Sequence, residues 1–489
     1  MSLDTLLNII SPFNLLMMNL GIAAGIIIGA LPGLSVVIAI TILLPVTFGL
    51  DSVPGMFLLL GAYCGGTFGG SITAVLINTP GTPAAAATTL DGYTMAQNGR
   101  AGDALKCALT ASTVGGILSC FALIFIAPPL ASMALKFGPV EYFALCLFGL
   151  SIVIGISGDD IFKGLVMAAL GLFASTVGID STEGIPRFIF GNSNLLAGFS
   201  PAVVMLGVFA ISEILDKSRI GVSNGKVETE YAKASISLRE IFSHWKTMLW
   251  SSLYGIFIGA VPGTGGAISA FFSYNEAKRR SKHPEKFGTG IPEGIIAPEA
   301  GNNAVTGATL IPLLTMGIPG DTAVAVLLGA LTMQGIVPGP ELFTSNKFWV
   351  YSIMGGLLLI NIFMFLQGTL FNKAFANVAK LPFSILVPCI AIFCTIGSFS
   401  VANNFFNVFV MLGFGFLGYI LKRFGFPLPP LTIALVLGQL TENNLRRALI
   451  LSEGSISIFF TRPLSLVFLV IALISLCLPL IRKLKGRKA

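Results

Sequence analysis

The residues of this chain best suited to hold a ligand are mostly uncharged. Ser35, Asn78, Thr79, Thr82, Thr264, Asn302, Asn303, Thr306 and Thr322 place hydroxyls and amides within strongly apolar surroundings, joined by one carboxylate, Asp321. Glycines stand among them at Gly33, Gly81, Gly263, Gly265, Gly266 and Gly320. Glycine lets a ligand approach the backbone, while Asn and Thr supply donors and acceptors. Asn78, Asn303, Thr306 and Asp321 are also the candidates for holding a coupling cation, and Asp321 suits equally the N-cap of the helix it opens.

These residues cluster at four Pro-Gly breaks. Ile28-Gly29-Ala30-Leu31-Pro32-Gly33 returns as Ile258-Gly259-Ala260-Val261-Pro262-Gly263, and Asn78-Thr79-Pro80-Gly81-Thr82-Pro83 has a looser echo in Gly317-Ile318-Pro319-Gly320-Asp321-Thr322. A break in an apolar helix frees backbone N–H and C=O groups where water cannot satisfy them, at several kcal/mol each unless something binds them. A half-helix that starts after a break offers roughly half a positive charge, suited to a carboxylate or phosphate.

The elements carrying the breaks are membrane helices. With 489 residues, a mean hydropathy of +0.88 and 10% charged residues, the chain is too apolar for a soluble globule. Apolar runs near the length a bilayer requires recur from residue 13 to residue 481, without strand alternation, so the fold class is an all-α polytopic membrane protein. The first residues read as leading into a membrane helix rather than as a secretory signal. The seven cysteines lie in apolar runs without a Cys-x-x-Cys pair, and His244 and His283 lie in charged loops, so neither a disulfide framework nor a transition-metal site is expected. The net charge of +7 comes from basic loops at 217–246 and 278–282 and from the tail, which fits the positive-inside rule rather than a nucleic-acid partner.

The duplication extends beyond the breaks. Asp159 to Met167 aligns with Asn403 to Met411, Phe137-Gly138-Pro139 with Lys380-Leu381-Pro382, and Ser212-Glu213 with Thr441-Glu442. Asp159 and Asp160 mark a loop by this pairing. Two repeats are expected at 13–216 and 247–445, joined by a basic linker at 217–246 and followed by a C-terminal helix at 463–481. If each repeat opens with a re-entrant hairpin and then makes five crossings, the repeats are inverted. With a cytoplasmic linker, the N-terminus is periplasmic and the C-terminus cytoplasmic. Lys136, Arg187, Lys347, Arg446, Arg447 and Arg462 then lie outside and the other 23 of the 29 Lys and Arg inside. The Arg446-Arg447 pair fits this path least well. An elevator is expected to follow, with a transport unit at about 13–103 and 247–340 and a scaffold at about 104–216 and 349–440.

Gly29-Ala30-Leu31-Pro32-Gly33, the run from Tyr63 to Ile72, Asn78-Thr79-Pro80-Gly81, Asp91-Gly92-Tyr93, Pro298-Glu299-Ala300-Gly301-Asn302-Asn303-Ala304 and Gly317-Ile318-Pro319-Gly320 together resemble the large membrane subunit of tripartite tricarboxylate transporters, the TctA family. The resemblance covers nearly the full length. Thr94 departs from it, since the Asp-Gly-Tyr phrase of the family usually continues with proline. The resemblance implies a bacterial inner-membrane permease working with a small four-helix membrane subunit and a periplasmic solute-binding protein on citrate-like carboxylates.

Energetics points the same way. The chain has no phosphate-binding loop, and moving an anion into a negative-inside cell costs ~2.3 kcal/mol per charge per 100 mV. Two half-helix ends supply only about one positive charge, so Na⁺ or H⁺ should travel with the cargo; no other cofactor is expected. An intramembrane aspartyl protease using Asp159 and Asp321 would need those carboxylates close enough to share a proton. A carboxylate channel is the other alternative.

Overall fold

The computed structural model describes residues 3–31, 34–156, 160–180, 182–220, 234–378 and 383–486. Pro32, Gly33 and Asp159, and the Lys380-Leu381-Pro382 phrase, lie outside them. The chain is helical almost throughout. A two-residue hairpin, Gly178–Ile179 against Pro186–Arg187, is the only sheet among the described residues.

After a short helix at Leu3–Ile9, the first half runs α1 (Pro12–Gly29), α2 (Val36–Leu43), α3 (Ser52–Ile77), α4 (Ala86–Met95), α5 (Ala101–Ala134), α6 (Pro139–Ile156) and α7 (Ile161–Ser175). The second half runs α8 (Trp245–Ala260), α9 (Gly265–Arg280), α10 (Pro292–Ala308), α11 (Thr322–Met333), α12 (Lys347–Val378), α13 (Phe383–Ser400), α14 (Phe405–Arg423) and α15 (Pro429–Leu451), and α16 (Pro463–Gly486) follows. Among the described residues, five helical runs are long and apolar enough to cross a membrane: α1, α3, the run 83–134, the first 25 residues of α12, and α14. Side chains such as Phe125, Phe257, Leu370 and Phe409 project from the surface at 69% exposure or more, as expected of a lipid-facing wall. The protein is a multi-pass all-α membrane protein.

Helix α3 is buried along nearly its whole length because glycine lets backbones meet. Gly21, Gly25 and Gly29 of α1 press against Leu58, Ala62 and Gly66 of α3, while Gly61, Gly65 and Gly69 of α3 press back on Met18, Ile22 and Ile26. Such spacing of small residues substitutes for a hydrophobic drive that lipid cannot supply. The register also shows that α1 and α3 run parallel, so the chain between them must return, which α2 and the turn after it accomplish.

The second half packs in the same way. Gly255 and Gly259 of α8 approach Gly301 and Val305 of α10, making those helices parallel, and α9 carries the chain back between them. His244 before α8 and Ser281 after α9 both bind the Glu293 carboxylate, at 3.2 and 2.7 Å. The two ends of this hairpin therefore lie on one side. Asp91 ties the halves together there: its carboxylate accepts from the Gly288, Gly290 and Ile291 N–H groups and from the Tyr274 hydroxyl.

Helices α7 and α14 each start from a side-chain cap, Asp160 on the Phe162 N–H and Asn404 on the Phe406 N–H. Asp160 thus opens a helix, rather than only marking a loop. Lys163 at the start of α7 reaches the Phe424 carbonyl beyond the end of α14, whereas Asn404 at the start of α14 bonds Asn194 in the segment after α7. The two helices consequently run in opposite directions.

Candidate functional site: four helix starts around one cavity

In each half the breaks touch. Gly81 packs against the Gly29 carbonyl, and the Gly263 N–H donates to the Gly320 carbonyl at 2.6 Å. The first pair brings the loop before α4 to the tip of the α1–α2 hairpin; the second brings the loop before α11 to the tip of the α8–α9 hairpin. All of these meet around a cavity of about 410 Å³, within the ~300–1,000 Å³ of small-molecule sites.

Four helix starts line it: Ser35–Val37 of α2, Thr82–Ala84 of the turn leading into α4, Thr264–Ala267 of α9, and Asp321–Ala323 of α11. Neither Ser35 nor Thr264 caps its helix through its side chain, so the cap side chain does not take up the first N–H groups of α2 or α9. The other two starts are capped, Thr82 accepting from the Ala85 N–H at 3.3 Å and Asp321 Oδ1 from the Val324 N–H at 2.8 Å. Asp321 Oδ2 accepts from the Tyr63 hydroxyl at 2.8 Å, and that hydroxyl also lies 3.1 Å from Thr309 Oγ1. Asp321 is therefore an N-cap held from the other half of the chain, at the cavity wall.

Asn302 and Thr306, one turn apart on α10, complete the polar lining, with Thr67 of α3 opposite. The Asn302 side-chain amide is buried and its Nδ2 has no partner, an unused donor in the wall. Thr306 and Thr264 spend their hydroxyl hydrogens on backbone carbonyls, Asn303 for the first and Ile258 or Val261 for the second. Among the described residues, no Lys or Arg lines the cavity.

Ser35, Thr82, Gly263, Thr264, Gly265, Gly266, Asn302, Thr306, Asp321 and Thr322 thus come together. Asn78, Thr79, Gly81, Asn303 and Gly320 do not line the cavity. Asn78 takes the left-handed conformation, φ 53°, that ends α3, and with Thr79 it is exposed. Gly81 and Gly320 are spent on close packing, the latter against Thr309. Asn303 faces away, its amide donating to Ser112 Oγ and the Glu299 carbonyl. Tyr63 and Thr67 escaped the reading of the breaks, although two polar side chains four apart in a glycine-rich apolar helix mark one face.

A family model described as the tripartite tricarboxylate transporter TctA family matches residues 15–433. The chain belongs to that family. This TctA-family chain is 34% identical, over 98% of its length and 95% of the relative, to an uncharacterized 52.8 kDa protein in the TAR-I ttuC' 3'region of Agrobacterium vitis. It is 36% identical over 234 residues to an uncharacterized protein in the TAR-II ttuC' 3'region of the same organism, covering 48% of the chain and 97% of that relative. No solved structure matches it. Membership makes it a subunit of a transporter family.

Proposed function

We propose that the chain is the large permease subunit of a tripartite uptake system, binding a di- or tricarboxylate such as citrate in the cavity and moving it inward with Na⁺ or H⁺. The observation that carries this reading is the pair of uncapped helix starts, α2 and α9, facing one cavity with the unused Asn302 amide. Oriented backbone N–H groups bind carboxylates without a resident cation. Their sum, about half a charge per helix, leaves a tricarboxylate largely uncompensated, which favours a cation travelling with it.

Inverted repeats fit the opposed courses of α7 and α14, mates in the sequence alignment. The mates Glu213 and Glu442 serve opposite ends: Glu213 pairs with Lys422 at the end of α14, and Glu442 with Arg187 and Arg446 on the side where α14 begins. Arg446 also reaches Asp180 and Glu183. These partners account for an arginine at the periplasmic face, where the charge path places it. In this reading the N-terminus is periplasmic, the C-terminus cytoplasmic and the membrane the bacterial inner membrane. The hairpins and broken helices move as an elevator against a scaffold. Close packing of α5 on α10 favours a boundary nearer Ala134 than residue 103. A periplasmic binding protein delivers the cargo, and a small four-helix subunit assists.

The test is uptake of labelled citrate, succinate and tartrate into proteoliposomes holding the chain and its small subunit, with loaded binding protein outside. Accumulation above equilibrium under a Na⁺ or H⁺ gradient is expected. Strictly downhill flux would make it a channel, and the absence of flux for every carboxylate would remove the reading.

A further inference from the structure

Glu299 is a wholly buried carboxyl on α10. Its neighbours are neutral. Thr88 of α4 donates to Oε1, Ser112 of α5 donates to Oε2 at 2.9 Å, and the Asn303 amide donates to Ser112 Oγ at 2.8 Å. The Ser71 hydroxyl of α3 also faces this carboxyl, yet it makes no hydrogen bond of normal geometry, and Asn303 Oδ1, 1% exposed side chain included, has no partner. No Lys, Arg or His compensates the carboxyl among the described residues. An ionised carboxylate without a counter-charge inside a membrane protein costs several kcal/mol, and intramembrane carboxyls mark ion or proton pathways.

We infer that Glu299 is a proton site, loaded from water and emptied in step with the cargo; the inference rests on the transport reading above. A proton fits better than Na⁺ because the Thr88 and Ser112 hydroxyls already touch the carboxyl oxygens, where a metal ion would have to stand. Both protonation states can be satisfied. The ionised form accepts from Thr88 and Ser112; the neutral form donates its one O–H to a hydroxyl that rotates from donor to acceptor. Loading forms one O–H bond at a carboxyl oxygen and breaks one in hydronium or a relaying water, with no electron transferred.

Three of the four helical segments around Glu299, those carrying Ser71, Thr88 and Asn303, also reach the cavity about one turn away, while α5 with Ser112 does not. Thr67 and Ser71 are four apart on α3, Ala84 and Thr88 are four apart on the run into α4, and Asn302 and Asn303 adjoin on α10. A shift of these helices on cargo binding would alter both sites together. Coupling requires an element that both sites bias, and these shared segments are where the two sites meet.

The test uses the full chain in nanodiscs. Infrared difference spectra between acidic and alkaline buffer should show the carbonyl stretch of a buried protonated carboxyl, and Glu299→Gln should abolish that band. Ser112→Ala, which keeps the carboxyl, should shift the pH at which the band appears; it decides the matter if the Gln variant does not fold. In proteoliposomes, Glu299→Gln should lose accumulation driven by a pH gradient. A band unchanged in Glu299→Gln, or accumulation by that variant equal to wild type, overturns the inference, as does wild-type uptake driven by Na⁺ with no proton movement. Thermal-shift binding of citrate to the wild-type chain is read separately: failure there removes the transport reading, while the infrared band still decides whether Glu299 holds a proton.

Discussion

The Tyr63 hydroxyl donates a 2.8 Å hydrogen bond to Asp321 Oδ2, joining the central helix of the first half to a broken helix of the second at the wall of one cavity. Asp321 would otherwise be a helix cap with one oxygen unpaired. Tyr63→Phe leaves that oxygen without its donor, at about 1–3 kcal/mol. We expect a lower unfolding midpoint in detergent and slower uptake, with insertion retained. An unchanged midpoint would show that Tyr63 does not hold Asp321.

Asn302 lines the cavity and Thr79 does not. Asn302→Asp replaces an unused donor with a negative charge inside the site and should reduce carboxylate binding at least roughly tenfold, a loss of ~1.4 kcal/mol. Thr79→Ala, at an exposed position off the cavity, should leave binding unchanged. Titration calorimetry on both variants checks this, and equal affinities would contradict the placement of the site.

Gly65 decides whether α1 and α3 can meet. A Cβ there runs into the Ile22 backbone, while one at Gly413 of α14 finds nothing within 4 Å. Gly65→Leu should therefore give little folded protein, and Gly413→Ala a normal yield. Monodisperse recovery on size-exclusion chromatography reads both.

Asp180 anchors the 178–187 hairpin. Backbone N–H bonds from Glu183 and Thr182, with Arg187 and Arg446 nearby, hold its carboxyl below the usual range. Because the folded value lies below the unfolded one, the stabilisation is fully present above the ordinary Asp value of about 3.9 and is lost as pH falls through the depressed folded value. Hydrogen exchange in this hairpin, corrected for the intrinsic rate, should be flat from neutral pH down to about pH 5 and rise only in stronger acid. Asp180→Asn should raise exchange already at neutral pH.

The membrane class, the breaks and their pairing were legible in the sequence because each is a local property. Hydropathy accumulates along the chain, proline lacks an N–H, and glycine lacks a Cβ wherever they stand. The family phrases are local too. Which polar side chains share the cavity was not local. Asn302 and Asn303 are adjacent in sequence but about 100° apart around α10, since a helix turns once every 3.6 residues. Asn302 and Thr306 consequently face the cavity, while Glu299 and Asn303 face the buried ring. Asn78 belongs to the same break as Thr82 but is turned outward by the left-handed end of α3. Tyr63 and Thr67 enter the site only because glycine contacts set the depth and rotation of α3. Residue types and breaks were fixed along the chain; helix rotation and packing decided which of them can touch one ligand.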